Sequence, residues 1–545
     1  MNRISRRWRT LTVTSAAIVA AGALVLTGCT GQGGGDNTSK PSDEGKPVKG
    51  GNLTVQISGD PGGLDQNAAA SIDAVNISEL IFEKLFALDN KNVPKPMLVD
   101  KYEVENDSKD FTFHLRKDVT FSDGTPLTAN DVVESLKYWM KNFMGVGPSI
   151  AAITDSLTAT DDLTVVWKLK QPHRPLIAEL TGPGTGIIKG DIAATLTPKG
   201  FDEKQAIGTG PYKLKSWTHG QELVIERNDL YSSLKKEDTG YAGAKHAYLD
   251  TITFKMVGDA DAVKNGLLTG EFDYASSATP ESYPELKGNP DLKTELLTGG
   301  NLNVLILNHA FKDSIFNKQE ARDALNLVVD KKAIMEATGG DKNLTRLSGA
   351  LTPKEFPSTY STTGDEEYNA HDPKKAKELF AQAGYSDSKP IQIMTTGNFP
   401  QFVQWAQFIQ DQLSQIGVKA EVKTYDFVTM LGQLQNEPSK WDIVPLFFNG
   451  AFPSANQWNV TQSAANPGIG TTDDRPDYLL KALDAYNAAT DDKQAKAAID
   501  DITAAFWKFK PDIVLGMTIP YASYTPKLKG YDNYWYVFWN SWLAK

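Results

Sequence analysis

The chain has one cysteine among its 545 residues, so no internal disulfide can form and no Cys-based zinc or iron–sulfur site can be built. Histidine is scarce too. His114, His173, His219, His246, His309 and His371 are scattered, with no zinc-ligand spacing and no His-Glu-x-x-His pair. No Gly-x-Ser-x-Gly elbow occurs, and no motif singles out two carboxylates as an acid/base pair. The expectation is therefore a protein without enzymatic activity, cofactor or metal. Basic residues are in deficit, 56 Lys and Arg against 67 Asp and Glu, for a net charge of -11. That balance argues against nucleic acid as a partner, because phosphate binding wants a basic face. What is present in quantity is core material: 40% hydrophobic and 10% aromatic residues, enough for two or three packed domains and too much for a mostly disordered chain.

The only long apolar stretch lies at the N-terminus. Arg3, Arg6, Arg7 and Arg9 precede an apolar run from Leu11 to Leu26. The run is shorter than the roughly 20 residues of a membrane span, so residues 1–28 read as a signal peptide. Leu26-Thr27-Gly28-Cys29 closes it and resembles the lipobox of bacterial lipoproteins, which implies lipid attachment at Cys29. Removing residues 1–28 takes away four arginines and no acid, so the charge falls from -11 to -15. The next segment, TGQGGGDNTSKPSDEGKPVK, cannot bury a core, and residues 29–50 are expected to be a flexible tether. The expected location is extracytoplasmic, held at the cell membrane by acyl chains.

Beyond the tether, strand and helix patterns alternate. Leu53 to Ile57, Phe111 to Leu115 and Thr164 to Leu169 alternate as strands do. Val132, Leu136 and Met140 are four apart within a helical stretch, Thr128 to Asn142. Asn317, with Glu320 three residues on, predicts an N-cap for a helix through Ala321, Leu325 and Val328 that ends at Gly339-Gly340. Phe402, Trp405, Ile409, Leu413 and Ile416 make the clearest amphipathic helix. Gly417 stops it, and an alternating strand follows through Val418, Ala420 and Val422. A further helical run covers Tyr478 to Phe506. Such helix–Gly–strand units argue for α/β layers. Gly208-Thr209-Gly210-Pro211-Tyr212 lacks the Lys-Ser/Thr of a phosphate loop and leads into an extended segment, so it reads as a tight crossing between domains.

Several segments, in order along nearly the whole chain, resemble the family 5 solute-binding proteins of ABC importers, whose members bind oligopeptides, dipeptides or nickel. They are Gly63-Leu64-Asp65; Leu80 to Leu85; Phe111-Thr112-Phe113-His114-Leu115-Arg116 with Phe121-Ser122-Asp123-Gly124-Thr125-Pro126-Leu127-Thr128-Ala129; Gly208 to Leu214; Glu226-Arg227-Asn228; Arg322-Asp323-Ala324-Leu325; and Asp372-Pro373 with Ala383-Gly384-Tyr385. The resemblance implies an α/β fold of the two-lobe periplasmic-binding-protein type (class II, cluster C-like), with a subdomain inserted in lobe I. Lobe I would comprise residues 51–81, 206–303 and 518–545, the insert 82–205, and lobe II 304–517. It further implies a monomer that closes over a small-molecule or peptide ligand and delivers it to ABC permease subunits in the membrane.

In peptide-binding relatives the ligand pairs with protein backbone as an added strand, and a lobe II carboxylate grips its α-ammonium within a pattern like Trp-x-x-Asp-x-x-Asp-Pro. The matching stretch here runs from Trp441 to Trp458. Aligned without gaps, Phe448 takes the tryptophan place, Ala451 the ammonium-binding place, and Ser454-Ala455 the Asp-Pro; a shift of two offers Asn449. No acid lies between Asp442 and Asp473, which leaves three ligands open: a peptide met by another acid, an oligosaccharide, or a blocked peptide. Asp73 is a candidate replacement acid, within a segment Ala70-Ser71-Ile72-Asp73 whose counterpart offers backbone to the ligand. Phe447, Phe448, Asn449 and Trp458 are further candidate ligand contacts. Asn398 and Trp405, around a strand-to-helix turn, are others, with turn formation and core packing as the alternatives. The aromatic C-terminus, Tyr531 to Trp542, suggests a final strand sealing lobe I, with a sugar-stacking surface as the alternative.

Overall fold

A computed structural model describes residues 45–545 except 69–70, 143–145, 238, 277–278, 310, 450–452, 459–474 and 535. Cys29, Ala70 and Ala451 lie outside the described residues. So do the signal peptide and nearly all of the tether.

Three main sheets organise the chain. The first has seven strands, in the order Lys293–Leu296, Tyr521–Tyr524, Tyr274–Ala275, Asn52–Ile57, Thr251–Met256, Glu222–Arg227 and Tyr212–Thr218. It is the centre of lobe I. The second has six, in the order Thr345–Arg346, Asp512–Thr518, Asn301–Leu307, Ile443–Asn449, Ile391–Thr396 and Ala420–Tyr425, and is the centre of lobe II. A four-stranded antiparallel sheet, Val99–Glu105, Asp110–Leu115, Thr164–Leu169 and Thr154–Asp161, packs on the helix Ala129–Asn142 and forms the inserted body.

The lobe II sheet is covered on both faces. Leu305 and Leu307 point into one core with Ile513, Leu515 and Trp405. Val304 and Ile306 point into the other with Val514, Phe506 and Trp507. A strand buried on both sides must be apolar at successive positions, which is why NLNVLIL is nearly unbroken. Ile391–Thr396, the helix Pro400–Gln415 and Ala420–Tyr425 form a parallel βαβ unit, with the amphipathic stripe of the helix facing the sheet.

The chain passes between the two large sheets at 297–300 and again at 519–520. The two passages lie side by side: the Leu297 amide donates to the Pro520 carbonyl at 2.8 Å. Paired crossings with few bonds between them are a hinge geometry. At the entry to the inserted body, the segment from Gly208 to Tyr212 runs against the end of the helix Ile72–Ile81. The Gly210 amide donates to the Ile81 carbonyl at 2.8 Å. The segment is a close backbone crossing.

Four local expectations are corrected. Asn317 does not cap the following helix. It ends a 3-10 turn, and its side-chain amide donates to the His309 carbonyl at 2.9 Å; the helix begins at Gln319 behind Lys318. That helix does not reach Gly339 either. It stops at Val328, and a new one, Lys331–Thr338, starts where the Asp330 carboxylate accepts from the Ala333 amide. The run from Tyr478 is likewise two helices, Asp477–Asn487 and Asp492–Phe509, the second capped by Asp491. Among the described residues, the C-terminal aromatics form no long strand, and only Trp542–Leu543 pairs, with Leu528–Lys529. Tyr534, Tyr536, Phe538 and Trp539 are nonetheless buried in the lobe I core.

Candidate functional site

The sequence candidates are distributed over elements of both large sheets and the loops beside them. Ser71 caps the helix Ile72–Ile81, its hydroxyl accepting from the Asp73 amide at 3.2 Å. Ile72 is 48% exposed at that helix start, an unusual placement for isoleucine and one that leaves it free for a partner. Asp73 is buried, and its carboxylate is engaged by its own lobe. One oxygen accepts from the Ser58 amide and hydroxyl at 3.2 and 2.9 Å; the other accepts from the Tyr536 hydroxyl at 2.7 Å. The structure thus places Asp73 as a tie between the first strand and the C-terminal segment. Asp73→Ala should strand the buried Tyr536 hydroxyl, remove the two bonds from the exposed Ser58, and destabilise the protein by about 1–3 kcal/mol in a denaturant or thermal unfolding measurement. A role confined to ligand binding would leave stability unchanged.

On lobe II, Asn398 is a turn residue. Its side-chain oxygen accepts from the Thr396 hydroxyl at 3.1 Å and the Phe427 amide at 2.9 Å, tying the strand-to-helix turn to the next helix. Trp405 is 2% exposed in the core, its indole N–H donating to the Thr338 hydroxyl at 2.7 Å. It packs as core and presents no face to the cleft. Trp458 is also sealed, 3% exposed among Ala455, Tyr486 and Phe506. The chain turns inward there through a 3-10 turn, Ala455–Gln457, and the indole is buried. Phe447 and Phe448 alternate across the strand Ile443–Asn449. Phe447 packs beside Phe402 (5.5 Å between rings) and Phe399, and Phe448 packs on the opposite core. Both are half-buried. The backbone of Asn449 pairs with Asn301 at the hinge end of the sheet.

The groups that meet across the lobes are ones that sequence reasoning did not single out. Glu179 ends a one-turn helix, Leu176–Glu179, of the inserted body and has no exposure. One carboxylate oxygen accepts from the Ser454 hydroxyl and the Asn456 side-chain amide of lobe II, each at 2.9 Å. The other lies 2.7 Å from Nε2 of His173. Burial opposes the charge, but His173 and the Asn456 and Ser454 donors outweigh it and hold the carboxyl below its ordinary range. Arg174 adds an ion pair to Asp492, and its amide donates to the Asn487 carbonyl at 2.9 Å. Nothing in the local sequence announced this cluster. Its partners across the two bodies are 275 and 277 residues from Glu179, and His173, six residues away, belongs to no spaced motif with it. Among the described residues, no group of three or more His, Cys, Asp or Glu is arranged to hold a metal ion. No helix among them is long and apolar enough to cross a membrane.

Two α/β lobes joined by paired crossings make a fold of the two-lobe periplasmic-binding-protein type. Residues 93–469 match the bacterial extracellular solute-binding proteins, family 5 (middle), and the chain belongs to that family. It is 28% identical over 477 residues, covering 83% of this chain and 85% of the relative, to a probable peptide ABC transporter periplasmic-binding protein of Sinorhizobium fredii. Its fold is similar to that of the periplasmic binding protein DppA from Helicobacter pylori in complex with the peptide STSA. The TM-score is 0.77 at 22% identity, over 91% of this chain and 99% of that one. It is similar also to the binding protein AgaA from A. tumefaciens in complex with agropinic acid, with a TM-score of 0.76 at 22% identity, over 91% and 99%.

Proposed function

We propose that this protein captures an oligopeptide-like solute between its lobes and hands it to the permease subunits of an ABC importer, as a monomer held at the cell membrane through a lipid on Cys29. Its task is a change of shape on binding, with no bond made or broken. The lobes are assigned as residues 51–81, 206–300 and 519–545 for lobe I, 82–205 for its insert and 301–518 for lobe II, the strands Asn301–Leu307 and Asp512–Thr518 moving the expected limits of 303/304 and 517/518 into the crossings. Family membership and peptide-named relatives support the receptor role.

One observation favours peptide over oligosaccharide. A sugar needs exposed flat aromatic faces, and among the described residues the candidate tryptophans Trp405, Trp458, Trp539 and Trp542 are at most 7% exposed. Peptide capture by backbone pairing needs no such face. The carboxylates that could hold a free ammonium are committed elsewhere. Asp73 is held by Ser58 and Tyr536. Asp442 accepts from the Ser314 hydroxyl at 2.8 Å and the Gln392 amide at 2.9 Å. Glu179 is held by His173, Ser454 and Asn456.

Calorimetry with di- to octapeptides, their N-acetylated forms, and cello- and manno-oligosaccharides tests the reading. The expected result is peptide binding in which N-acetylation changes Kd by less than about threefold, since a desolvated ion pair to the amine would be worth far more than that. Silence toward all peptides, or binding of the sugars alone, overturns it. Cys29→Ala should release the protein from the membrane fraction; retention there counts against the lipid anchor.

A further inference from the structure

We infer that Glu179 is a positioning residue for solute capture: from the inserted body it latches the lobe II loop 453–457 and so couples closure of the lobes to the ligand-facing end of the strand Ile443–Asn449. The inference rests on the two-lobe receptor reading and adds the part that holds the lobes together.

The geometry carries it. Both lobe II donors to Glu179, the Ser454 hydroxyl and the Asn456 amide, converge on one oxygen at 2.9 Å. The second oxygen is fixed by His173 at 2.7 Å, so the carboxylate is aimed from its own body before lobe II arrives. Asn456 also donates to the Asn487 side chain at 2.7 Å, which ties the loop to the helix Asp477–Asn487. Gly182, three residues beyond Glu179, packs against lobe II as well: a Cβ there would come within 2.5 Å of the Gln457 side-chain amide and displace it. Such bonds to a carboxylate in a water-excluded contact are strong and directional. They form only when the lobes are together, because donor and acceptor stand on different bodies.

The latched loop is also the one that follows the ligand-facing strand. Ser454 lies three residues past Ala451, the position that matches the ammonium-gripping acid of peptide-binding relatives. In this chain the carboxylate near that loop comes from the opposite body, and protein donors already fill it. A solute that orders the strand end therefore presents Ser454 and Asn456 to Glu179, and the latch in turn holds that strand end over the solute. The two equilibria share one loop.

The test reads the distance between lobes directly. Cysteines for spin labels at Leu230 (52% exposed) and Val428 (79% exposed), with Cys29 replaced, report lobe separation in the otherwise full mature chain. The solute-free protein and the protein with a defined di- to octapeptide pool are both measured. The expected result is a short-distance population in wild type that falls at least tenfold in Glu179→Ala and in Ser454→Ala. Glu179→Gln, which keeps an acceptor for lobe II and loses the charge against His173, should give an intermediate loss. The double variant Glu179→Ala/Ser454→Ala should lose no more than Glu179→Ala alone. Ser454→Ala, a minimal change on the other lobe, serves if Glu179→Ala does not fold. A wild type without the short-distance population in either condition, or variants that keep it unchanged, overturns the latch. A pool that changes no distance in a wild type whose short-distance population still depends on Glu179 counts against peptide capture and leaves the latch standing.

Discussion

Gly208→Ala should cost about 3–5 kcal/mol of stability and lower the unfolding temperature by at least several degrees, although it adds one methyl group to a residue with ordinary backbone angles. The added Cβ would sit 2.0 Å from the Ile81 carbonyl oxygen, 2.8 Å from its carbonyl carbon and 2.9 Å from the Phe82 ring. Two of these are main-chain atoms at the end of the helix Ile72–Ile81, and they cannot swing away as a side chain could. The crossing is pinned on both sides: the Gly208 carbonyl accepts from the Ser122 amide at 2.9 Å, and the Gly210 amide donates to Ile81. Relief requires moving the helix end or the strand Tyr212–Thr218, each packed in the lobe I core. Gly63→Ala is the matched control, because a Cβ there meets nothing within 4 Å. Calorimetric unfolding of the two variants separates steric exclusion from a general effect of losing glycine. Equal unfolding temperatures would mean the crossing is looser than its distances say.

That crossing was legible because it rested on local chemistry. Glycines flanking a threonine, without the lysine of a phosphate loop, leave close backbone approach as the reason for two missing side chains. The amphipathic stripe from Phe402 to Ile416 and the strand after Gly417 were legible for the same reason: periodicity reports which face is buried. What the sequence does not encode locally is how far each tryptophan turns inward. Trp458 follows asparagine and glutamine, a polar context that suggests a cleft wall, yet a single 3-10 turn at Ala455–Gln457 rotates the indole into the core. Asp73 looked free because its partners, Ser58 and Tyr536, lie 15 and 463 residues away. Glu179 carried no signal at all. Its short helix has no motif, and its meaning arises only when another lobe's loop reaches it. Pairings that close late in the chain and across bodies are where reading by segments stops.

Asp512 carries the other large effect, and its sign runs against the usual behaviour of carboxylates. It opens the strand Asp512–Thr518 at 1% exposure, and neither side-chain oxygen has a hydrogen-bond partner among the described residues. Burial pushes its carboxyl up to about 8, opposed only by the nearby Leu307 backbone amide. Lys510, two residues earlier, offers no relief, since its ammonium is committed to Asp323 and Glu367 at 3.0 Å each. Because the folded value lies above the unfolded value of 3.8, the folded state holds this proton more tightly. The contribution is fully present below pH 4 and is lost as pH rises toward 8, at about 1.4 kcal/mol per pH unit, or on the order of 5 kcal/mol across the window. Lys331 works in a different range. Burial, then Lys510, pushes it down to about 7, so its penalty changes between pH 7 and 10.5, with stability rising as pH rises. Between pH 5 and 7 only Asp512 of the two titrates differently in the folded and unfolded chains. Asp512→Asn removes that proton and leaves every other group in place. The stability of Asp512→Asn relative to wild type, measured by urea unfolding, should therefore increase by about 3 kcal/mol from pH 5 to pH 7, whatever offset the new amide introduces at pH 5. A difference that stays flat over those two units would show that the aspartate is already ionised in the folded protein, with water or a main-chain donor reaching it at the start of the central strand.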